Sequence, residues 1–111
     1  MERTYDAHEY LLPEIRERLP RLRATEGGYD PIAQAKYFTP DSSWTWYALE
    51  FDPEEEVFFG LVQGFAEEFG PFTLAELQTA RGPMGLRIER DLFFRPTPVS
   101  RLRWEALDAV D

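Results

Sequence analysis

A chain of 111 residues with 43% hydrophobic and 15% aromatic side chains makes one domain with a packed core and is too apolar for disorder. Twenty-one acids against 12 bases leave a formal charge of −9, which opposes a non-specific grip on phosphate backbones. The absence of cysteine and the single histidine, His8, exclude disulfides, thiolate metal sites and the usual zinc ligand sets.

No run reaches the roughly 18 apolar residues of a membrane span, and the first residues, Met1 to Asp6, do not read as a signal peptide. A cytoplasmic protein without membrane attachment is expected. Lys36 is the only lysine among the 12 bases; compositional bias is the plain reading of that arginine skew, bidentate recognition the functional one. At this length the radius of gyration is roughly 13 Å, so a binding site is a shallow cleft or an exposed face.

The first ten residues carry no periodic pattern and are expected to be mobile. Leu11, Leu12, Ile15, Leu19 and Leu22 then recur at spacings of three and four, which predicts an amphipathic helix from Leu11 to Arg23. Pro13 suits its first turn, and Pro20 ends or kinks it. Gly27-Gly28 and Asp30-Pro31 mark a loop. A short strand follows at Ala35 to Phe38, then a tight turn at Thr39 to Ser43.

Trp44 to Asp52 and Val57 to Gly64 form a hairpin around Pro53-Glu54-Glu55-Glu56. A four-residue loop sets Asp52 opposite Val57. Unbroken alternation would then pair Phe51 with Phe58, Leu49 with Gly60 and Tyr47 with Val62 on one face. Glu50 with Phe59, Ala48 with Leu61 and Trp46 with Gln63 would occupy the other. Gly60 would leave a gap for Tyr47 or Leu49 to cover. One face packs on helices; the Trp44/Trp46 face needs another cover or stays open.

Thr73-Leu74-Ala75-Glu76 is a capping box that opens a second helix, stopped by Gly82-Pro83. Leu86 to Phe94 alternates at first and reads as a strand, or as an irregular segment along a sheet edge. Val99 to Val110 reads as a terminal helix, with Leu102, Ala106 and Val110 on one stripe. The fold class is α+β: a small antiparallel sheet with a central hairpin, packed by N-terminal, mid-chain and C-terminal helices.

The segment from Thr39 to Tyr47 concentrates hydroxyls, the Asp41 carboxylate and three aromatic rings. Flat rings with short polar groups make a recognition surface. The competing reading is a turn in which Asp41 caps local amides and both tryptophans are core. His8 with Ser42 or Ser43 and Asp41 makes a poor nucleophilic set, since no strained elbow surrounds the serines. The acids Glu50, Asp52, Glu54, Glu55, Glu56, Glu67 and Glu68 lack the spacing of a calcium loop, and a solvated, edge-protecting cluster is the default. Glu50 stands apart, because its strand position sets it beside Phe59 and Trp46. Arg87, Glu89, Arg90 and Asp91 read as an exposed strand face, with Arg90 able to line a pocket at the aromatic turn.

Phe38-Thr39-Pro40-Asp41-Ser42-Ser43-Trp44-Thr45-Trp46-Tyr47, then Glu50-Phe51-Asp52, Phe58-Phe59-Gly60-Leu61-Val62, Phe72-Thr73-Leu74-Ala75-Glu76-Leu77, Arg81-Gly82 and Ile88-Glu89-Arg90-Asp91 together resemble the domain of unknown function 2958 family. The likeness runs in order from about Leu11 to Pro98, with Val99 to Asp111 beyond it. It implies a short bacterial protein of the kind often encoded on plasmids and other mobile elements. It supplies no catalytic residues.

The expected function is therefore a non-enzymatic accessory domain that binds a protein through Tyr37, Asp41, Ser42, Trp44 and Trp46, flanked by Glu50 and Arg90. No catalytic residue, metal, cofactor or direct nucleic-acid contact is expected. Two other classes stay open. One is an acidic decoy that fills a nucleic-acid-binding site on another protein. The other is a carboxylate enzyme holding a divalent metal on Glu50, Asp52 and Asp91.

Overall fold

The computed structural model describes residues 7–28 and 30–108. Strands β2 (Ala35–Phe38), β3 (Thr45–Asp52), β4 (Val57–Gln63) and β5 (Glu67–Thr73) form an antiparallel meander, and β6 (Glu89–Arg90) returns to pair with β2. The spatial order is β5-β4-β3-β2-β6. Three short helices, α1 (Ala7–Tyr10), α2 (Pro13–Arg18) and α3 (Leu74–Thr79), supply Tyr10, Ile15, Leu74 and Leu77 to the core on one face. The other face is partly covered by β1 (Ile32–Ala33) paired with β7 (Thr97–Pro98), and by a 3-10 turn, Val99–Arg101, that leads into α4 (Trp104–Asp108). The class is α+β, as the sequence indicates.

The central hairpin departs from unbroken alternation at one residue. Asp52, Phe51 and Glu50 lie opposite Val57, Phe58 and Phe59, as the turn at 53–56 dictates. Asp52 Oδ1 accepts from the Glu54 amide at 3.0 Å, and Glu56 closes the turn with φ +55°. Leu49 then has no partner, and Ala48, Tyr47 and Trp46 face Gly60, Leu61 and Val62. One extra residue on one strand is a β-bulge, and it reverses the facing of everything beyond it. Leu49 joins Tyr47 and Leu61 in one core, while Phe51, Ala48 and Trp46 all belong to the helix-covered side. The expected grouping of Tyr47 and Leu49 with Phe51 is thus corrected. Gly60 makes the bulge possible, since a Cβ there would sit 1.8 Å from the Tyr47 carbonyl oxygen. No gap remains for a side chain to cover, because the Tyr47 backbone fills it.

Phe58 is the hub of the helix-covered core. Its ring lies 4.7 Å from Phe51 and 5.0 Å from Phe72, both cross-strand partners, and 5.9 Å from Tyr37. Such ring contacts add about 0.5–1.5 kcal/mol each beyond area burial. Two tyrosine hydroxyls tie α1 to the sheet: Tyr10 donates to the Ile88 carbonyl at 2.7 Å, and Tyr37 donates to the Tyr10 carbonyl. Burial pushes the Tyr37 phenol well up from its ordinary range, so it stays a donor. Ala7 to Tyr10 is therefore an ordered, packed helix rather than part of a mobile tail.

Several sequence expectations shorten or split. The helix expected from Leu11 to Arg23 is only α2, ended before Pro20; a turn continues through 22–27. The capping box is present, with the Glu76 amide donating to Thr73 Oγ1 at 3.0 Å and the Thr73 amide to Glu76 Oε1 at 3.3 Å. The segment 86–94 is an irregular edge run with strand only at β6. The expected terminal helix divides into the Val99–Arg101 turn and α4; Val110 lies outside the described residues. Strand β5 has no counterpart among the sequence expectations, since Gly70 and Pro71 interrupt its pattern. As the sheet's edge strand it tolerates proline, whose missing donor costs nothing on an unpaired side.

Carboxylates fasten the second cover. Asp30 accepts from the Ser100 hydroxyl at 2.6 Å and its amide at 2.9 Å, and these bonds hold its carboxyl below the usual range. Glu67 on β5 accepts from Arg103 Nε and the Trp104 amide, each at 2.8 Å, and from Gln63 Nε2 at 2.7 Å. Desolvation raises its carboxyl, but these donors outweigh it and the net direction is down.

Two tests follow from this architecture. Gly60→Ala should lower stability to urea by about 1–3 kcal/mol, the usual cost of overpacking against an unyielding neighbour. Gly70→Ala, where a Cβ meets nothing within 4 Å, should be neutral or stabilise by up to about 1 kcal/mol. Because Glu67 is depressed in the folded state, its contribution is complete at neutral pH and fades as pH falls below about 4.3, the ordinary glutamate value. Glu67→Gln should therefore lose less stability between about pH 5 and 3 than the native chain.

Candidate functional site

The turn at 39–44 is built from its own hydroxyls. The Thr39 and Ser42 side chains hydrogen-bond each other, the Trp44 amide donates to Ser42 Oγ at 3.3 Å, and the Thr39 amide donates to the Trp44 carbonyl at 3.1 Å. Asp41 does something the sequence did not suggest. Its Oδ2 accepts from the Met84 amide at 2.7 Å and the Leu86 amide at 3.4 Å, so it organises a distant loop instead of its own turn. Its Oδ1 is buried without a hydrogen-bond donor and presses on Gly82, where a Cβ would lie 1.6 Å away. The absence of a side chain at 82 is what lets the carboxylate dock.

Beyond this turn the rings cluster. Trp44 and Trp46, two apart on one strand face, are both half-buried with ring centroids 5.8 Å apart. Trp44 lies across Gly64, where a Cβ would come within 2.4 Å of its ring, and meets Phe65 edge-on at 5.4 Å. Phe65 is 95% exposed on the short β4–β5 turn. Trp46 and Val62 pack against the rim of the helix-side core. The patch thus has a rooted base and an exposed crest.

The structure brings Asp41, Ser42, Trp44 and Trp46 together but not the other three predicted residues. Tyr37 is wholly buried beneath Trp46 in the cross-strand row and offers no surface. Arg90 ends that row, half-buried, and its Nε donates to the Glu9 carbonyl at 2.9 Å, which fixes α1. Glu50 lies across the bulge on the opposite face. His8 is exposed on α1 and shares no hydrogen bond with Asp41 or Ser42. The three acids considered as metal ligands are engaged separately: Asp52 caps the 53–56 turn, Asp91 pairs with Lys36 at 3.7 Å, and Glu50 holds a loop. Among the described residues no three acid or histidine side chains converge on a metal position.

Sequence reasoning missed a cleft of about 760 Å3 on the face away from the helices. Its apolar lining includes Leu22, Leu49, Val57, Phe59, Phe69 and Pro71, and its polar lining combines Thr25 and Glu50 with the charged Arg23 and Glu26. Glu50 is 3% exposed. Its Oε1 accepts from the Arg23 amide at 2.7 Å, and its Oε2 accepts from the Thr25 amide at 2.8 Å and the Thr25 hydroxyl. Arg23 adopts φ +72°, a left-handed geometry that turns these amides onto one carboxylate. The only sequence signal was a glutamate in an otherwise apolar strand. Which face it takes depends on the bulge, which no local pattern marks.

Residues 9–106, which include the whole sheet, the aromatic turn and most of both covers, match the family described as Protein of unknown function (DUF2958). The chain belongs to that family. The match reaches past Pro98, so the segment from Val99 to Ala106 is part of the DUF2958 domain and not an addition to it. No curated protein and no solved structure matches the chain.

The Asp41–Gly82 contact is testable by a double-mutant cycle. Gly82→Ala should displace the carboxylate and cost roughly 1 kcal/mol, about one hydrogen bond. On an Asp41→Ala background the same change should cost much less, a coupling that independent sites would not show.

Proposed function

We propose that this DUF2958 chain is a non-enzymatic interaction domain that captures a protein partner through the Trp44–Trp46–Phe65 patch and the turn organised around Thr39 and Ser42. The observation that supports this reading is Phe65. An aromatic side chain left 95% exposed, edge-on to a tryptophan that is itself rooted on Gly64, is a preorganised contact. Aromatic anchors with a fixed base carry most of the energy in protein interfaces, often at least 2 kcal/mol each. Ser42 and Ser43, both exposed beside the rings, supply short polar groups for a rim. The setting we propose, on a mobile genetic element, rests on the family resemblance.

The decoy reading has less behind it. It needs free carboxylates arrayed like phosphates, yet Asp30, Asp41, Glu50, Glu67 and Asp91 are each bound to groups of this chain, and Glu9 pairs with Arg87. Glu54, Glu55 and Glu56 stand out together at a single hairpin tip. The metal-enzyme reading would need carboxylates now engaged elsewhere.

Phe65→Ala should leave stability within about 0.5 kcal/mol of the native chain, as an exposed substitution, and should reduce partner capture about tenfold or more. Cross-linking in cells of the source, with partners identified by mass spectrometry, checks this. Undiminished capture by both Phe65→Ala and Trp44→Ala would overturn the reading.

A further inference from the structure

The aromatic patch ends on a carboxylate. Cross-strand partners in an antiparallel sheet point to the same face, so the pairing of Trp46 with Val62 and of Val62 with Glu68 sets all three in one row. At the usual strand spacing of about 4.8 Å, Glu68 stands roughly 10 Å from Trp46, with Val62 between them. Trp44 joins the row across Gly64, 5.8 Å from Trp46 and edge-on to Phe65 at 83°. Glu68 is exposed and takes no part in the ion pairs among the described residues, which join Lys36 to Asp91, Arg87 to Glu9 and Arg103 to Glu67. The bases on this side are directed elsewhere. Arg90 lies beyond Tyr37 in the same row and gives Nε to the Glu9 carbonyl. Arg81, beside the Gly82 that receives Asp41, gives Nη1 to the Gln78 and Ala80 carbonyls. Among the described residues the rings that carry a cation are Phe51, Tyr47 and Phe69, under Arg16, Lys36 and Arg103. Trp44, Trp46 and Phe65 are not among them.

Ring faces are negative through their quadrupole, the unpaired Glu68 is negative outright, and the chain's −9 adds a field of the same sign. On the reading of this patch as the interaction surface, on which this step rests, we infer that the side chain it captures is a lysine or arginine of the partner protein. The aliphatic stem lies over Trp46 and Val62, and the charged head sits between the ring faces and Glu68. A long cationic side chain matches both parts of the row, because its stem is apolar and its head is not. An acidic side chain would meet like charge at Glu68. A purely apolar one would strip the carboxylate of water and give nothing back.

The test uses the 15N-labelled full chain and acetylated, amidated tripeptides with lysine, arginine or norleucine between two glycines. Norleucine repeats the lysine stem without the ammonium, so it separates charge from apolar contact. Titration at about 0.15 M salt should move the Trp44 and Trp46 indole signals, with Kd on the order of a few mM for the cationic peptides. These should bind at least about threefold more tightly than the norleucine peptide, a ratio that exposed cation–ring contacts supply. Glu68→Gln removes only charge, and Phe65→Leu removes a ring while keeping apolar bulk. Both positions are exposed, so both variants should stay folded, and each should cut the cationic preference by about half or more. Equal binding of lysine and norleucine peptides would mean apolar contact only and would overturn the inference. So would indole signals unmoved at about 20 mM of either cationic peptide, an unchanged preference in either variant, or shifts confined to Glu54–Glu56. None of these results touches the reading of the patch as a protein-binding surface, which is judged by partner capture in cells with Phe65→Ala and Trp44→Ala.

Discussion

The close approach of the Tyr47 carbonyl to Gly60 governs the rest of this molecule. It allows Leu49 to stand out of register as a bulge, and the bulge reverses the facing of the strand. Phe51 and Trp46, five residues apart, thereby reach the same face, where the first joins the phenylalanine core and the second its rim. Leu49 and Glu50, adjacent in sequence, share the other. Without that reversal Trp46 would lie among the residues that meet β1 and the C-terminal cover, and the helix side would lose a large apolar neighbour.

The two faces then acquire different characters. The helix face is closed by rings around Phe58 and by the Tyr10 and Tyr37 hydroxyls, which leave few polar groups unpaired. The opposite face is closed only in part, by β1, Val99 and Leu102. What stays open there is the cleft beside Glu50. The aromatic patch sits at the far end of the same hairpin, where the strands run beyond the helices. Two surfaces of different chemistry, one ring-rich and one apolar with a carboxylate, thus sit on opposite faces of one pair of strands.

Much of the acidity is architectural. Asp41 holds the loop at 82–86, Glu50 the loop at 22–27, Glu67 the start of α4 and Asp30 the turn at Val99–Arg101. Each carboxylate accepts backbone amides from a segment remote in sequence, which fixes irregular chain that has no ladder of its own. A high acid count in such a protein reports internal fastening as much as surface field. Glu54, Glu55 and Glu56 stand exposed together at the 53–56 tip, and other exposed acids, among them Glu14, Glu17, Glu68 and Glu89, are spread over the rest of the surface.

Local chemistry alone determined the elements whose forces are local. The capping box at Thr73, the four-residue turn after Asp52, the stop at Pro20 and the aromatic strands all follow from neighbouring residues, and so does the pairing of Asp52, Phe51 and Glu50 with their partners. The clustering of Trp44, Trp46 and Ser42 was legible for the same reason, since residues two apart on a strand share a face. Tertiary structure decided the rest. The bulge depends on a glycine eleven positions downstream, β5 is a strand only because β4 lies beside it, and Asp41 and Glu50 find donors that chain folding brings to them from 43 and 27 residues away. Periodicity reports which side chains agree with one another; it carries no record of a carbonyl that fits where a side chain is missing, and that fit sets the faces on which both surfaces lie.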